Sequence, residues 1–245
     1  MIKGIWSSMS GMLPRELHHS VAATNIANIT TTGYKASRAF LKSFIDASTA
    51  AEANSNKNQR ISDVEEIHTD FSQGLMEQTD NVLDVAILGD GFFCIDTPQR
   101  ELYTRNGNFM LDKNYRLVTS DGMPVLGENN RSIKLYEGGI FVMENGEISI
   151  DGERVGKLKI VDFAEPTDLK RGLNSLFIPM DENVRGMPGK DYKIKHGFLE
   201  RSNVVPVQEM MNMIIYFRNY EADSRILTAQ DDTLRRAVND IARPV

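Results

Sequence analysis

The chain has 245 residues, of which 41% are apolar and 25% are charged, and its net charge is −6. The apolar content is ordinary for a soluble globular protein, and the acidic balance argues against a nucleic-acid binder, which normally carries a basic face. No stretch approaches the roughly eighteen uninterrupted apolar residues of a membrane-spanning helix. The first residues also lack the apolar core of a cleavable secretory signal.

A helix is predicted at the start of the chain, to about residue 29, because apolar side chains recur there in steps of three and four. Ile5, Met9, Met12 and Ile26 lie on this apolar stripe. Pro14 lies inside the helix, where a proline loses one hydrogen bond and clashes with the preceding turn, at a cost of about 3 kcal/mol. We therefore expect a kink or a new start of the helix near residue 14.

The end of this helix is marked by the run Asn-Ile-Ala-Asn-Ile-Thr-Thr-Thr-Gly-Tyr-Lys from Asn25 to Lys35. Consecutive threonines are poor helix formers, and Gly33 can adopt a positive φ. Residues 36–80 are predicted to form an extended linker with a short strand, since the middle of this segment is rich in Ala, Ser, Asn, Lys and Gln without a pattern.

Residues 81–202 have the pattern of an antiparallel all-β domain. Five Asn-Gly or Asp-Gly dipeptides begin at residues 90, 106, 121, 145 and 151. Such dipeptides between apolar runs are the strongest short-range signal for a β-hairpin. The predicted strands are Asp84–Leu88, Phe92–Ile95, Leu102–Arg105, Asn108–Leu111, Arg116–Thr119, Ile133–Leu135, Ile148–Ile150, Lys157–Phe163, Leu176–Pro179 and Tyr192–Leu199.

A second helix is predicted from Pro206 to about Ala242, a length of roughly 55 Å. Proline suits the first helical turn, where its missing N–H costs nothing. Two interleaved series of residues form a heptad seam of the kind that packs against other helices. One series is Met210, Phe217, Ser224, Asp231 and Val238, and the other is Met213, Tyr220, Leu227, Leu234 and Ile241.

The fold class that follows is α+β, with an antiparallel all-β central domain and N- and C-terminal helices that pair as a coiled-coil-like domain. Residues 1–35 and 203–245 form the helical domain in this interpretation. Polar side chains within the seam are expected to set the register with neighbouring subunits. The predicted subunit interface comprises Ile5, Met9, Met12, Ile26, Asn28, Met210, Met213, Ile214, Phe217, Tyr220, Ser224, Leu227, Asp231 and Leu234.

No residue pattern predicts an active site, a metal site or a cofactor. His18 and His19 have only valine and alanine at helical spacing after them, so no further ligand is near. Gly89–Gly91 lacks the Gly-Lys-Ser/Thr ending of a phosphate loop and is interpreted as a hairpin turn. Cys94 is the single cysteine, which excludes an intrachain disulfide, and we interpret it as a buried apolar side chain in a strand.

Four separated motifs resemble the flagellar rod and hook protein family. The first is the run that ends at Lys35, and the second is Leu-Asp-Val-Ala-Ile-x-Gly-Asp-Gly-Phe-Phe at 83–93. The third is Tyr-Thr-Arg-Asn-Gly-Asn-Phe-x-Leu-Asp at 103–112, and the fourth is Leu-Glu-x-Ser-Asn-Val-x-Pro-Val-x-Glu-Met-Met-Asn-Met-Ile at 199–214. Four motifs in the right order make the resemblance specific.

The resemblance implies a structural subunit of the bacterial flagellar basal-body rod, which transmits torque from the motor to the hook. It implies other rod proteins and copies of the same chain as partners, and export by the flagellar type III apparatus without a cleavable signal peptide. No nucleic acid, no direct membrane insertion and no cofactor are expected. The length and residues 170–177 favour a proximal-rod member over a distal-rod member.

An alternative from another class is a secreted β-domain protein for binding or adhesion, whose helices form only a stalk. Its ligand would engage loops of the β domain such as Arg185–Lys190. An enzyme is a third alternative, and the chain offers no candidate catalytic set.

Overall fold

A computed structural model describes residues 2–43, 62–181, 184 and 186–241 of the chain. The described residues form two long helices and a series of antiparallel strands, so the predicted α+β class is confirmed. The chain divides into two compact units. The first comprises residues 1–27, 37–68 and 205–245, and the second comprises residues 28–36 and 69–204. Arg185 and the expected helix end at Ala242 lie outside the described residues.

The first unit consists of helices α1 (Ile2–Ala27) and α2 (Pro206–Ile241) and a two-stranded sheet of β1 (Ser37–Ser43) and β2 (Ser62–Thr69). The predicted linker therefore contains paired strands. The start of β1 is attached to α1 by Asn25, whose side chain is 1% exposed. Its Nδ2 donates to the carbonyl of Ser37 and its Oδ1 accepts from the N–H of the same residue, both at 2.9 Å.

Helix α1 continues through Pro14, so a new start at this residue is wrong, while the alternative expectation of a kink stays a prediction. A proline removes a single N–H from the helical ladder. The neighbouring residue Arg15 bonds to α2, and packing between the two helices offsets the cost of the lost hydrogen bond.

The second unit is built from fifteen strands among its described residues, with a 3₁₀ turn at Pro166–Asp168. Every strand pair whose register is described in this unit is antiparallel. The strands are β3 (Met76–Gln78), β4 (Val85–Gly89), β5 (Phe92–Asp96), β6 (Glu101–Thr104), β7 (Phe109–Leu111), β8 (Leu117–Thr119), β9 (Ile140–Val142), β10 (Glu147–Ile150), β11 (Glu153–Lys157), β12 (Ile160–Asp162), β13 (Leu169–Arg171), β14 (Leu176–Pro179), β15 (Met187–Pro188), β16 (Tyr192–His196) and β17 (Phe198–Glu200).

Strand β5 lies inside the largest sheet, whose order is β13-β14-β6-β5-β12-β15. Its side chains alternate between two apolar clusters, so the strand is buried on both faces. Phe93 and Ile95 belong to one cluster, and Phe92 and Cys94 belong to the other. The remaining strands form the sheet β11-β10-β9 and the pairs β16-β4, β17-β3 and β7-β8.

Cys94 is fully buried in this strand, as the sequence predicted. Burial raises the pKa of its thiol to about 12. The thiol is therefore protonated at neutral pH, and a structural role fits it better than a reactive one.

Three of the five turn dipeptides lie between segments that pair with each other, and the other two join strands of different sheets. Asn145-Gly146 joins β9 to β10 and Asp151-Gly152 joins β10 to β11, and both pairs of strands are antiparallel hairpins. Asp121-Gly122 closes a tight turn after β8. The hairpin prediction is wrong for Asp90-Gly91 and Asn106-Gly107, because each joins strands that belong to different sheets.

Besides Tyr192–Leu199, which is divided at Gly197 into β16 and β17, two more predicted strands differ from the structure. Ile133–Leu135 is no continuous strand: Lys134 forms an isolated bridge with Arg116, while Ile133 and Leu135 are buried. The run predicted as one strand from Lys157 to Phe163 instead contains the end of β11 and the separate strand β12. In both places, apolar alternation reports burial correctly without reporting the pairing.

We expect Gly107→Ala to lower the free energy of unfolding by about 3 kcal/mol, since overpacking of this kind is costly. An added Cβ at Gly107 would lie 1.6 Å from the carbonyl oxygen of Val85. The matched control is Gly156→Ala, where the nearest atom, on Ile133, would be 3.7 Å away, and where we expect a change below about 1 kcal/mol. Urea unfolding of both variants measures the difference, and equal losses would contradict the close approach.

Candidate functional site

The two helices of the first unit pack against each other in antiparallel orientation. The guanidinium of Arg15 donates to the carbonyl of Asn219 at 2.7 Å and lies 2.6 Å from Oδ2 of Asp223. Three residues later on α1, the ring of His18 stacks on that of Tyr216, with centroids 5.0 Å apart. From Arg15 to His18 the residue number on α1 increases, while the number of the contacted residue on α2 decreases from Asn219 to Tyr216. The two helices are therefore antiparallel.

A half-buried stripe runs along α2 and follows heptad spacing. Tyr216 and Asp223, which contact α1, both lie on it, so this stripe is the side of α2 that faces α1. The half-buried residues of the helix are Glu209, Asn212, Met213, Tyr216, Asp223, Ser224, Leu227, Gln230, Leu234 and Ala237.

The stripe contains three residues of one predicted heptad series and only Ser224 of the other. Met213, Leu227 and Leu234 lie on it, and Tyr220, which is 39% exposed, lies at its margin. In the other series, Met210, Phe217, Asp231 and Val238 are exposed. The seam within the chain therefore pairs the Met213 series with Glu209, Tyr216, Asp223, Gln230 and Ala237 instead of with the Met210 series. Met210, Phe217, Asp231 and Val238 are therefore left exposed within the chain, and their packing against other subunits stays a prediction.

The first three turns of α2 carry large apolar side chains on several sides. Val207, Met210, Met211, Ile214, Ile215 and Phe217 are each between 49% and 68% exposed. A helix that is apolar around most of its circumference is normally covered on most sides. We call these six residues the α2 apolar surface.

The other predicted interface residues are distributed over both units. Ile5 and Met9 lie in α1, and the structure does not describe their side chains. Met12 and Ile26 are half-buried in the same helix, and half-buried Asn28 lies in the turn that follows it. Their role in a subunit interface stays a prediction.

The contact of the polar seam residues Ser224 and Asp231 with neighbouring subunits stays a prediction. Asp231 is exposed and pairs with Arg235 on its own helix at 3.1 Å, while Ser224 is half-buried. Within the chain, the register of α1 against α2 is set by Arg15 and Asp223. Sequence reasoning missed this pair because the apolar spacing of α2 pointed to the Met210 series.

The second unit contains a buried ion pair that joins two of the family motifs. Lys35 and Glu200 are each 1% exposed, and the Lys35 Nζ donates to Oε1 of Glu200 at 2.6 Å. Nζ also donates to the carbonyl of Ser72, and the same carboxylate oxygen accepts from the N–H of Gly74. Burial lowers the pKa of Lys35, and the attraction of Glu200 opposes this shift.

Residues around the ion pair strengthen the junction of these motifs. The N–H of Gly33 donates to the carbonyl of Glu200 at 2.8 Å, and Asn203 accepts from the N–H of Ala36 at 2.7 Å. Buried Arg105, from the third motif, donates to the carbonyl of Gly89 at 2.8 Å, and its Nη1 lies 3.8 Å from Oε2 of Glu200. Residues from three motifs therefore meet in one charged cluster that the sequence analysis did not identify. The available signal for this cluster in the sequence was that Lys35, Arg105 and Glu200 each lie inside one of the family motifs.

Within residues 2–43, 62–181, 184 and 186–241, no group of three or more His, Cys, Asp or Glu side chains could hold a metal ion. Neither of the two described helices is long and apolar enough to cross a membrane.

The pair between α1 and α2 can be tested by a double-mutant cycle on Arg15→Ala and Asp223→Ala. The two side chains are 34% and 16% exposed, so we expect a coupling energy of about 1 kcal/mol in the unfolding free energy. The exposed pair Glu221 and Arg225, which lies within α2, is the control and should couple by about 0.3–0.5 kcal/mol. A coupling energy between Arg15 and Asp223 no larger than that of the control pair would contradict the role of this pair in setting the register of α1 against α2.

The buried ion pair can be tested by Glu200→Gln. This change leaves the Lys35 ammonium buried without a countercharge, and we expect a loss of about 3–5 kcal/mol of unfolding free energy. The control is Glu77→Gln, which breaks an exposed pair with Arg201 and should have little effect. Thermal or urea unfolding measures both variants, and a similar small effect of the two would contradict the importance of the buried pair.

Two family models match the chain, and between them they include Arg105 and Glu200 of the charged cluster. The model described as the flagellar hook protein FlgE/F/G D1 domain matches residues 86–158. The model described as the C-terminal part of the flagellar basal body rod FlgEFG proteins matches residues 195–240, a range that contains Glu200 and most of α2.

Curated relatives align over almost the whole chain. The flagellar basal-body rod protein FlgG of Borreliella burgdorferi is 32% identical and covers 98% of each chain. FlgG of Bacillus subtilis is 33% identical over 98% of this chain and 99% of its own. FlgF of Rhizobium meliloti is 28% identical over 98% of each. The protein therefore belongs to the flagellar basal-body rod family and is a structural subunit of the rod.

Proposed function

We propose that the chain polymerises in the proximal rod through its terminal helices, which pair as a coiled-coil-like domain, and that the polymer transmits torque from motor to hook. The α2 apolar surface is the observation that supports this proposal. Six large apolar side chains in three helical turns are exposed by 49% to 68% in the isolated chain. Exposed apolar patches of this kind mark sites of association.

Helix association accounts for this surface energetically. Burying one large apolar side chain completely contributes about 1.5–3 kcal/mol, so covering a half-exposed one contributes roughly half as much. The half-buried stripe of α2 already faces α1 within the chain, which leaves the α2 apolar surface for neighbouring subunits. Other rod proteins and further copies of this chain are the proposed partners, with the predicted residues Met210, Ile214 and Phe217 at the contact.

Export by the flagellar type III apparatus, without a cleavable signal, is part of the proposal. Two terminal helices that gain apolar partners only on assembly would couple folding to polymerisation. This coupling would keep the chain from associating before it reaches the growing rod. Neither a nucleic acid nor a cofactor enters the proposed mechanism.

A distal position in the rod is the second candidate. The relatives named FlgG are 32% and 33% identical to the chain, and the relative named FlgF is 28% identical, whereas the length and residues 170–177 favoured the proximal-rod protein FlgF over the distal-rod protein FlgG. Cross-linking in isolated basal bodies distinguishes the two by the identity of the neighbouring subunits. An adhesion protein would not co-purify with basal bodies at all.

The assembly proposal predicts that Met210→Glu, Ile214→Glu and Phe217→Glu together abolish rod assembly, because three charges would then lie on one stripe of α2. The isolated chain should keep its thermal stability, since these side chains are exposed within it. Motility and the basal-body content of cells that express the variant as their only copy provide the measurement.

The control for this variant is Ala229→Glu, an exposed α2 position that loses no large apolar side chain. It should retain assembly to a much greater degree. Normal motility of the triple variant would exclude the α2 apolar surface as a subunit contact.

A further inference from the structure

A groove on the second unit is separate from the charged cluster of the family motifs. It has a volume of about 740 Å³ and lies between the turn at residues 127–134 and strand β11. Its floor is apolar: Ile133 is buried and Val155 is half-buried.

The walls of this groove are mainly cationic. Arg131, Lys134, Arg154 and Lys157 line it, against the acidic residues Asp96 and Glu128. The two cations on β11 are partly compensated, because Arg154 lies 3.1 Å from Glu147 and Lys157 lies 3.6 Å from Glu128. Among the residues that the structure describes, no carboxylate lies within 4.0 Å of the Arg131 or Lys134 side chains. A cationic groove with two uncompensated charges is unusual in a chain of net charge −6.

One wall of the groove is the edge of a sheet. β11 is the outer strand of β11-β10-β9, and Val155 is skipped in its pairing with β10 at a β-bulge. At the end of the strand, the carbonyl of Lys157 accepts from the N–H of Glu128 at 3.0 Å. Along the rest of the strand, over residues 153–156, no described strand pairs with the outer edge. An open sheet edge can pair with an extended chain.

We propose that this groove binds an extended acidic segment of a partner protein, in which carboxylate side chains alternate with apolar ones. The carboxylates pair with Arg131 and Lys134, the apolar side chains cover Ile133 and Val155, and the backbone pairs with the edge of β11. Alternation along a strand places the two kinds of side chain on opposite sides, as a groove with an apolar floor and cationic rims requires.

The apolar floor and the open edge distinguish this occupant from a polyanion such as a nucleic acid or an acidic polysaccharide. A polyanion satisfies the cations but offers neither apolar side chains nor a backbone that pairs with a strand. The same two features make the binding only partly dependent on salt, because burial of apolar surface is not screened.

The experiment measures binding of a fluorescein-labelled peptide, eight residues long with glutamate and valine alternating, to the full chain by fluorescence anisotropy. We expect saturable binding that weakens at least tenfold in the Arg131→Glu and Lys134→Glu double variant. The control Lys113→Glu changes an exposed lysine in the turn between β7 and β8 and should leave the affinity unchanged. Equal affinity for the wild type and the double variant would overturn the proposal.

Three further measurements distinguish the proposed acidic segment from other molecules that could bind in the groove. An octaglutamate peptide that binds as tightly as the alternating one would show a general polyanion surface and overturn the proposal. Self-association that the double variant abolishes and the peptide does not compete with would assign the groove to a second copy of the chain, with the same consequence. Hydrogen exchange of the wild-type chain keeps the test independent of variant folding: the bound peptide must protect residues 127–134 and 153–157, and protection elsewhere alone would overturn the site.

Discussion

The buried pair between Lys35 and Glu200 is the interaction on which the described structure of the second unit depends. These residues are 165 positions apart, one soon after α1 and the other shortly before α2, and both are almost inaccessible to water. Removing two charges from water is costly unless each finds its partner with good geometry. A pairing of other residues in this position would leave a buried charge unmatched, so the ion pair specifies which two segments of the chain meet. Gly33 and Asn203 add backbone hydrogen bonds to the same junction.

The contacts between the two helices differ from the buried ion pair because they are partly exposed to water. Within the chain, α2 turns a stripe with several polar residues toward α1, and Arg15 and Asp223 set the register there. The residues of the α2 apolar surface, such as Met210 and Ile214, lie outside this stripe and are half exposed. Polar contacts are specific but contribute little net stability, whereas apolar contacts are strong and non-directional.

Several elements were predictable because they depend on neighbours in sequence. The helices, the Asn145-Gly146 and Asp151-Gly152 hairpins and the burial of Cys94 all follow from local spacing and turn chemistry. Other predictions failed where a distant partner decides the outcome. Asp90-Gly91 has the composition of a hairpin turn, but β4 pairs with β16 and β5 pairs with β6 and β12, so the turn joins two sheets. The dipeptide determines that the chain turns, and the partner strands determine where it goes.

The sequence by itself therefore determined the α+β class, the two terminal helices, the β-rich centre and, through four motifs, the family. Only the tertiary structure decided which side of α2 faces α1, since a heptad pattern with both Met210 and Met213 series allows either choice and the Arg15 contact selects one. It also decided that Lys35, Arg105 and Glu200 meet. A charged residue in a sequence is normally interpreted as solvent-exposed, because burying a charge is costly unless an opposite charge lies beside it. That partner can be distant in sequence, so only the tertiary structure identifies it.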